Sequence, residues 1–311
     1  MIKKLKSLKK WQKYTFLIIG VLFLGVGSMV GYAFYNVNKT LSTMHQPIER
    51  EYSDKRPEKV NFIEQDPISI LLIGVDSRNG NLERGLSDTL MVITVNPDDK
   101  SMKMVSIPRD TRTEIVGKGF EDKINHAHSF GGVEMAIPTV ENFLDIPIDY
   151  YVKINMEGFK DLVDAVGGVE VNNSFAFSTG GMDFPEGKIS LNGKEALAFS
   201  RMRKQDPRGD FGRTDRQKQI VQAVIKKGAS FSGITNLDSI LNAIGQNVKT
   251  DIASTEMLDI QKNYKEAIND LEVLQITGTG TTISRIYYLQ VPEEERLRIS
   301  TILKEHLKLN E

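Results

Sequence analysis

The sequence predicts an α/β domain with a mixed central β-sheet, flanked by helices on both faces and preceded by one N-terminal transmembrane helix. Three observations carry that prediction. An uncharged apolar run, Thr15 to Tyr35, follows six lysines between Lys3 and Lys13. Three apolar runs suited to strands then open the rest of the chain: Ile68 to Val75, Thr89 to Val95 and Met102 to Ile107. Helically spaced segments alternate with further strand-like runs beyond them, the pattern of mixed α/β layers.

The first run is long enough to span a membrane, which takes roughly 20 apolar residues. A cleaved signal peptide would have a shorter apolar core and a small-residue cleavage site. Tyr32, Phe34 and Tyr35 close the run at interface depth. Lysines ahead of it place the N-terminus inside and everything from about residue 36 outside. The expected organisation is a basic cytoplasmic tail (1–14), a transmembrane helix (15–35) and an extracellular stalk or linker (36–66) broken by Pro47 and Pro57. The main folded domain (67–230) follows, then a C-terminal α/β extension packed on it (231–311). The expected location is the cell membrane, single-pass, with the C-terminal domain extracellular.

Within the domain, the second and third apolar runs flank the turn Asn96-Pro97-Asp98-Asp99 and read as a hairpin. Gly132 to Leu144 has helical spacing, with Pro138 inside it. Asp149 to Asn155 alternates like a strand. Gly158 to Gly168 reads as an amphipathic helix with a glycine stop, and Val169 to Val171 as a strand. Asn192 is a good N-cap for a helix over Gly193 to Phe199. A longer helix from near Arg213 to Gly228 carries Ile220, Val221, Val224 and Ile225 on one face. Further helices are expected over 235–246, 254–268 and 292–307, and strands over 271–277 and 285–291.

Composition narrows the function. The 311 residues carry a net charge of −1, no cysteine and four histidines. That excludes a disulfide scaffold and a Cys-ligated metal, and argues against a His-rich metal site and a nucleic-acid binder.

Three polar clusters sit where strands end or begin: Asp76-Ser77-Arg78, Ser87-Asp88 and Arg109-Asp110. If the three strands run antiparallel in order, all three clusters meet at one sheet edge. Two carboxylates without histidine suit Mg²⁺, with Mn²⁺ possible. Guanidinium forks match phosphate oxygens and stay charged. Arg201 to Gln217 adds five arginines, with Asp206, Asp210 and Asp215 among them and Gly209, Phe211 and Gly212 to shape a loop. Together these could neutralise a pyrophosphate. Each group also has an ordinary reading: strand-end turn formers, a structural Arg109–Asp110 pair, a solvated charge run. His126 and His128 read as packing or hydrogen-bonding residues. Phe120, Phe130, Val133, Ile137, Val140 and Phe159 are candidates both for an apolar pocket and for core packing.

The motifs ILLIGVDSR, LSDTLMVITVNP, MVSIPRDT, DKINHAHSFGG and DPRGDFGRTDRQ, in this order and spacing, resemble the LytR-CpsA-Psr family. The likeness is strong over about residues 66 to 230. It implies a membrane-anchored extracellular phosphotransferase. Such an enzyme moves an anionic glycopolymer such as wall teichoic acid from a polyprenyl-pyrophosphate carrier to the C6 hydroxyl of N-acetylmuramic acid in peptidoglycan, with Mg²⁺. By motif match, Asp76 and Asp88 resemble the metal-associated aspartates. Arg78, Arg109, Arg201, Arg203, Arg213 and Arg216 resemble the pyrophosphate-binding arginines, and Asp210 and Gln217 resemble polar residues at the pocket mouth. The family often has a basic residue where Leu86 stands here; Arg84 is the candidate to replace it. Arg109, with Asp76 or Asp210 as proton acceptor, is the expected catalytic set. A lipid-pyrophosphate hydrolase and a non-catalytic envelope regulator are the alternatives. The expected partners are the lipid-linked polymer, peptidoglycan and the membrane, with no nucleic acid.

Overall fold

The computed structural model describes residues 39–76, 82–83, 85–230 and 244–309. The expected tail and transmembrane run, Arg78, Arg84 and most of the helix expected over 235–246 lie outside the described residues. Among those described, no helix is long and apolar enough to cross a membrane.

The centre is a six-stranded mixed sheet. Its strands are β1 (Ile68–Asp76), β2 (Leu86–Asn96), β3 (Ser101–Ile107), β6 (Tyr150–Asn155), β11 (Val248–Thr250) and β12 (Asp270–Gln275), in the order β11-β6-β1-β2-β3-β12. The pairs β1–β2 and β2–β3 are antiparallel, as the hairpin reading expects, while β1–β6 and β3–β12 are parallel. The β2–β3 turn is closed by Asn96, whose Oδ1 accepts the N–H groups of Asp98 and Asp99, both at 3.1 Å.

Strand alternation divides the sheet into two faces. In β1, Leu71, Ile73 and Val75 enter one core, and Ile68, Ile70 and Leu72 face the other. The first face is closed by α1 (His126–Gly131), α2 (Val133–Leu144) and α7 (Glu293–His306). Ile137, Val140, Leu144, Ile299 and Leu303 fill it. Pro138 lies inside α2 without ending it. The second face is covered by α5 (Asp210–Ser230) and α6 (Ser254–Asn263), which contribute Val221, Ile225, Met257 and Ile260.

A second layer stands beside this face. It comprises α3 (Met156–Ala165), the pair β7 (Val169–Asn173) and β10 (Gly187–Leu191), the short hairpin of β8 (Phe177–Thr179) with β9 (Met182–Phe184), and α4 (Gly193–Arg201). Helix α4 starts in a capping box: Asn192 accepts from the Glu195 N–H at 3.0 Å and Glu195 accepts from the Asn192 N–H at 2.9 Å. The helices α3 and α4 meet at Gly193, where an added Cβ would come within 2.2 Å of the Lys160 carbonyl.

Three expectations change. Residues from 39 onward are not a free stalk. Arg56 donates from Nε and Nη2 to the two Asp149 carboxylate oxygens at 2.5 and 2.7 Å, Arg50 grips Glu141, and Met44 is buried. Nor is the C-terminal stretch a layer added to a finished domain: β11 and β12 are the two edges of the central sheet itself. Finally, β4 (Arg112–Glu114) with β5 (Glu121–Lys123), and β13 (Thr279–Ile283) with β14 (Ile286–Gln290), form short hairpins. Only β14 among these four strands was expected.

Candidate active site

The second sheet face does not fill. Between it and α3, α4 and α5 lies a cavity of about 460 Å³. Its floor is the alternate residues of three strands: Leu72 and Gly74 of β1, Thr89 and Met91 of β2, Val152 and Ile154 of β6. Phe159 and Leu162 of α3 form one wall, and Val221, Val224 and Ile225 of α5 another. Gly74 keeps the floor low, because a Cβ there would sit 2.9 Å from the Thr89 side chain.

At the sheet edge the lining turns charged. Asp76, Asp88, Arg109, Arg201, Arg213 and Gln217 form the mouth. The antiparallel path of β1, β2 and β3 brings Asp76, Asp88 and Arg109 there, as the strand-end clusters predict. Arg213, Gln217, Val221 and Val224 follow each other along one stripe of α5, so a single helix carries the mouth into the apolar interior.

Arg109 donates from Nη1 to Asp88 at 2.9 Å and lies 3.8 Å from Asp110 and 3.9 Å from Asp210. Burial works against its charge, but Asp88, Asp210 and Asp110 outweigh it and hold the guanidinium more basic than usual. Arg213 is the opposite case. It is only 9% exposed and pairs with Asp210 at 2.9 Å. Burial, with repulsion from Arg109 and Arg203, leaves its charge less favourable than an ordinary arginine's despite Asp210. The Nε–H groups of both Arg109 and Arg213 are buried without an acceptor. Buried donors are rarely left unpaired. Two such donors on crowded cations at one mouth suit an incoming anion.

Asp210 holds this cluster together. Arg213, Arg203 and Arg109 all lie within 3.9 Å of its Oδ1. Arg201 and Arg203 also line an open cleft of about 690 Å³ with Lys204 and Gln205, so basic surface continues outward from the mouth.

Arg216 does not join them, contrary to the motif match. It is buried, donates to Asp206 at 2.6 Å and to the Met202 carbonyl at 2.5 Å, and lies over Phe177 and Phe199. Three residues from Arg213, it takes the stripe of α5 that faces the β8–β9 layer. Gly212 makes room for this, since a Cβ there would come within 1.8 Å of the Asp206 carboxylate. Of the apolar candidates, only Phe159 lines the cavity. Val133, Ile137 and Val140 belong to the closed face, and Phe120 and Phe130 are exposed. The rest of the cavity lining was not singled out, although the stripe Ile220, Val221, Val224 and Ile225 was its sequence signal.

The histidines pack beside the mouth. Nδ1 of His126 is 2.7 Å from Asp122, and Nδ1 of His128 is 3.0 Å from the Gly85 carbonyl. Fully buried Lys153 reaches Glu83 at 3.0 Å. His128 and Lys153 thereby hold Gly85 and Glu83, contacts not read from sequence.

Asp76 and Asp88 are the residues that could hold a divalent cation. No group of three carboxylate or imidazole side chains suited to a metal is assembled among the described residues. Two carboxylates fit Mg²⁺, which usually takes one or two and leaves other positions to water and phosphate.

Comparison with known proteins establishes the family. The profile of the LytR_cpsA_psr family matches residues 31–305. The chain belongs to that family. It is 56% identical, over 94% of its length and 97% of the relative's, to the polyisoprenyl-teichoic acid–peptidoglycan teichoic acid transferase TagU of Halalkalibacterium halodurans. Among LytR_cpsA_psr structures, the crystal structure of B. subtilis TagU matches at 50% identity and TM-score 0.63, covering 78% of this chain and 97% of that one. A protein described as a transcriptional regulator from Enterococcus faecalis matches at 43% identity and TM-score 0.74, covering 80% and 91%.

Proposed function

We propose that the protein is a membrane-anchored extracellular phosphotransferase that moves an anionic glycopolymer, wall teichoic acid, from a polyprenyl-pyrophosphate carrier to the C6 hydroxyl of N-acetylmuramic acid in peptidoglycan. One observation carries the reading: an apolar cavity opens directly onto Arg109 and Arg213, each with an unpaired buried donor. A lipid-linked pyrophosphate has that same division, a hydrocarbon tail joined to a compact multiple anion. The 50–56% identical relatives named TagU support the choice of polymer and acceptor.

In this reading the tail lies against Met91, Val152, Phe159 and Val224, and the pyrophosphate meets the Arg109–Arg213 pair. Arg201 and Arg203 guide the polymer outward along the basic cleft. The acceptor hydroxyl oxygen bonds to the phosphorus that carries the polymer, and the bond from that phosphorus to the polyprenyl phosphate breaks. Polyprenyl phosphate leaves, and the hydroxyl proton passes to a carboxylate at the mouth, Asp76 or Asp210. Arg109 and Arg213 stabilise charge on the transferred group and the leaving phosphate. Mg²⁺, held by Asp76 and Asp88, would add positive charge at the phosphate oxygens. The apolar run over 15–35 would anchor the chain in the membrane that carries the donor.

The test mixes the protein with Mg²⁺, a radiolabelled polyprenyl-pyrophosphate glycan and uncrosslinked peptidoglycan. Label should move onto the peptidoglycan, and Arg109→Ala should abolish the transfer. Release of label into water without acceptor dependence would make the protein a hydrolase instead.

A further inference from the structure

A transfer reaction needs a second substrate surface, and the cavity accounts only for the donor. Arg109 leads to an exposed aromatic surface with no role in that cavity. The Arg109 carbonyl accepts the Asn125 N–H at 3.4 Å, and His126 follows at the start of α1. The His126 ring lies 6.0 Å from that of Phe130, and Phe130 lies edge-on to Phe120 at 6.1 Å. Phe120 and Phe130 are 47% and 42% exposed. Soluble surfaces rarely gather aromatic rings without a use.

Glycines and a lysine border the pair. Gly119 and Gly132 have φ of +70° and +63°, and a Cβ on either would meet nothing within 4 Å. Lys118 places its ammonium 5.5 Å from the Phe130 ring centre. The polar end is built more firmly. Asp122 takes Nδ1 of His126 on one carboxylate oxygen, and the Lys123 N–H (2.8 Å) and Tyr288 hydroxyl (3.2 Å) on the other. That fixes the imidazole and leaves its second nitrogen to meet a hydroxyl. A separate groove of about 320 Å³, lined by Arg112, Glu121 and Gln290, borders the β4–β5 hairpin.

We propose that this surface, from His126 across Phe130 and Phe120, is where the acceptor glycan strand lies. Sugar rings offer apolar C–H faces to aromatic rings and hydroxyls to a fixed imidazole. A strand bearing lactyl and peptide carboxylates complements Lys118. The surface begins next to Asn125, whose backbone is hydrogen-bonded to Arg109 and to Ser87 beside Asp88, so a strand lying on it could present one hydroxyl toward the mouth while its length runs outward. The assignment rests on the transferase reading above.

The experiment uses the full-length chain in detergent, with lipid-pyrophosphate-linked glycan as donor and uncrosslinked glycan strands as acceptor. Phe120→Ala/Phe130→Ala should raise the acceptor KM about tenfold, equivalent to about 1.4 kcal/mol, and leave donor Kd and Tm unchanged. An unchanged acceptor KM overturns the assignment. Lys118→Glu, at an exposed position, should raise the same KM if the double variant does not fold; no change there has the same meaning. A readout free of transfer separates this proposal from the enzymatic one. The only tryptophan of the chain is Trp11, so Phe130→Trp adds a reporter on the surface. Its emission should change saturably with glycan strands, even if no transfer occurs. A change with anionic phospholipid vesicles and none with glycan strands would instead make the surface a membrane contact.

Discussion

The two faces of the central sheet are built from the same strands and end differently. Along β1, Leu71, Ile73 and Val75 enter a face that α1, α2 and α7 close completely. Their immediate neighbours Leu72, Gly74 and Asp76 line a cavity. Protein interiors are normally close-packed, so an apolar void of about 460 Å³ beside a fully packed face is a site and not poor packing. Its charged end matches the proposed donor, which is apolar along its length and anionic at its head. Residues of equal hydrophobicity thus meet different surroundings on the two faces, packed side chains on one and, in the proposed function, substrate on the other.

The largest effect should come from the mouth. Arg109→Ala should lower turnover by roughly 10³-fold or more, the scale of a well-placed arginine in phosphoryl transfer, while thermal melting moves by only a few degrees. Equal loss of activity and fold would reduce Arg109 to a structural partner of Asp88. Arg216→Ala, on the other stripe of α5, should do the reverse. It strands buried Asp206, and melting should fall before activity is specifically affected.

Packing should separate the faces next. Ile137→Ala on the closed face should cost about 2–5 kcal/mol of stability. Leu72→Ala should cost under about 1.5 kcal/mol, because its side chain already borders empty space. Denaturant unfolding checks both, and equal losses would mean that the cavity closes in solution. Conversely, Val224→Trp should leave melting intact and weaken donor binding by about tenfold, the equivalent of roughly two lost CH₂ contacts. Val92→Trp on the closed face should unfold the protein by overpacking.

The smallest effects are in pH. Burial, with help from nearby Lys103, pushes His306 of the closed face down to about 4. Its imidazole sits between Thr94 at 2.7 Å and Ser101 at 2.9 Å. A base with a depressed folded pKa contributes stability that is complete above about 6.5 and shrinks as pH falls toward 4. Asp251, beside the edge strand β11, is pushed up to about 7, chiefly by burial. Its contribution is complete at low pH and is lost as pH rises through 7. Both groups therefore act between about pH 4 and 7 with opposite signs: His306→Gln should remove a rise of melting temperature with pH in that window, and Asp251→Asn should remove a fall. If neither slope changes, these groups are not the ones that titrate with folding.

Much of this architecture could be read from residues alone. The strands β1, β2 and β3 are long apolar runs with turn residues between them, and their antiparallel path brings Asp76, Asp88 and Arg109 to one edge. The capping residue Asn192 marked α4. What escaped had physical reasons. The hairpin β4–β5 and the strand β13 are short and polar, with little periodicity to detect, and β11 has three residues. Arg213 and Arg216 look alike in sequence, yet three positions on a helix point one into the mouth and the other into a buried pair with Asp206. The floor of the cavity was invisible because Leu72 and Met91 alternate just as core residues do; only the helices opposite decide whether the space is filled. Phe120 and Phe130 read as apolar and therefore internal, yet both rings are exposed.

The dependence of donor binding on tail length tests the central claim most directly. Polyprenyl pyrophosphates of increasing chain length would be titrated into the full-length protein. Affinity should rise with each added unit, by up to about 0.8 kcal/mol per buried CH₂, and then level off once the cavity is full, with Val224→Trp levelling off at a shorter chain. An affinity that ignores tail length, or a plateau that Val224→Trp does not move, would contradict the assignment of the cavity to the lipid.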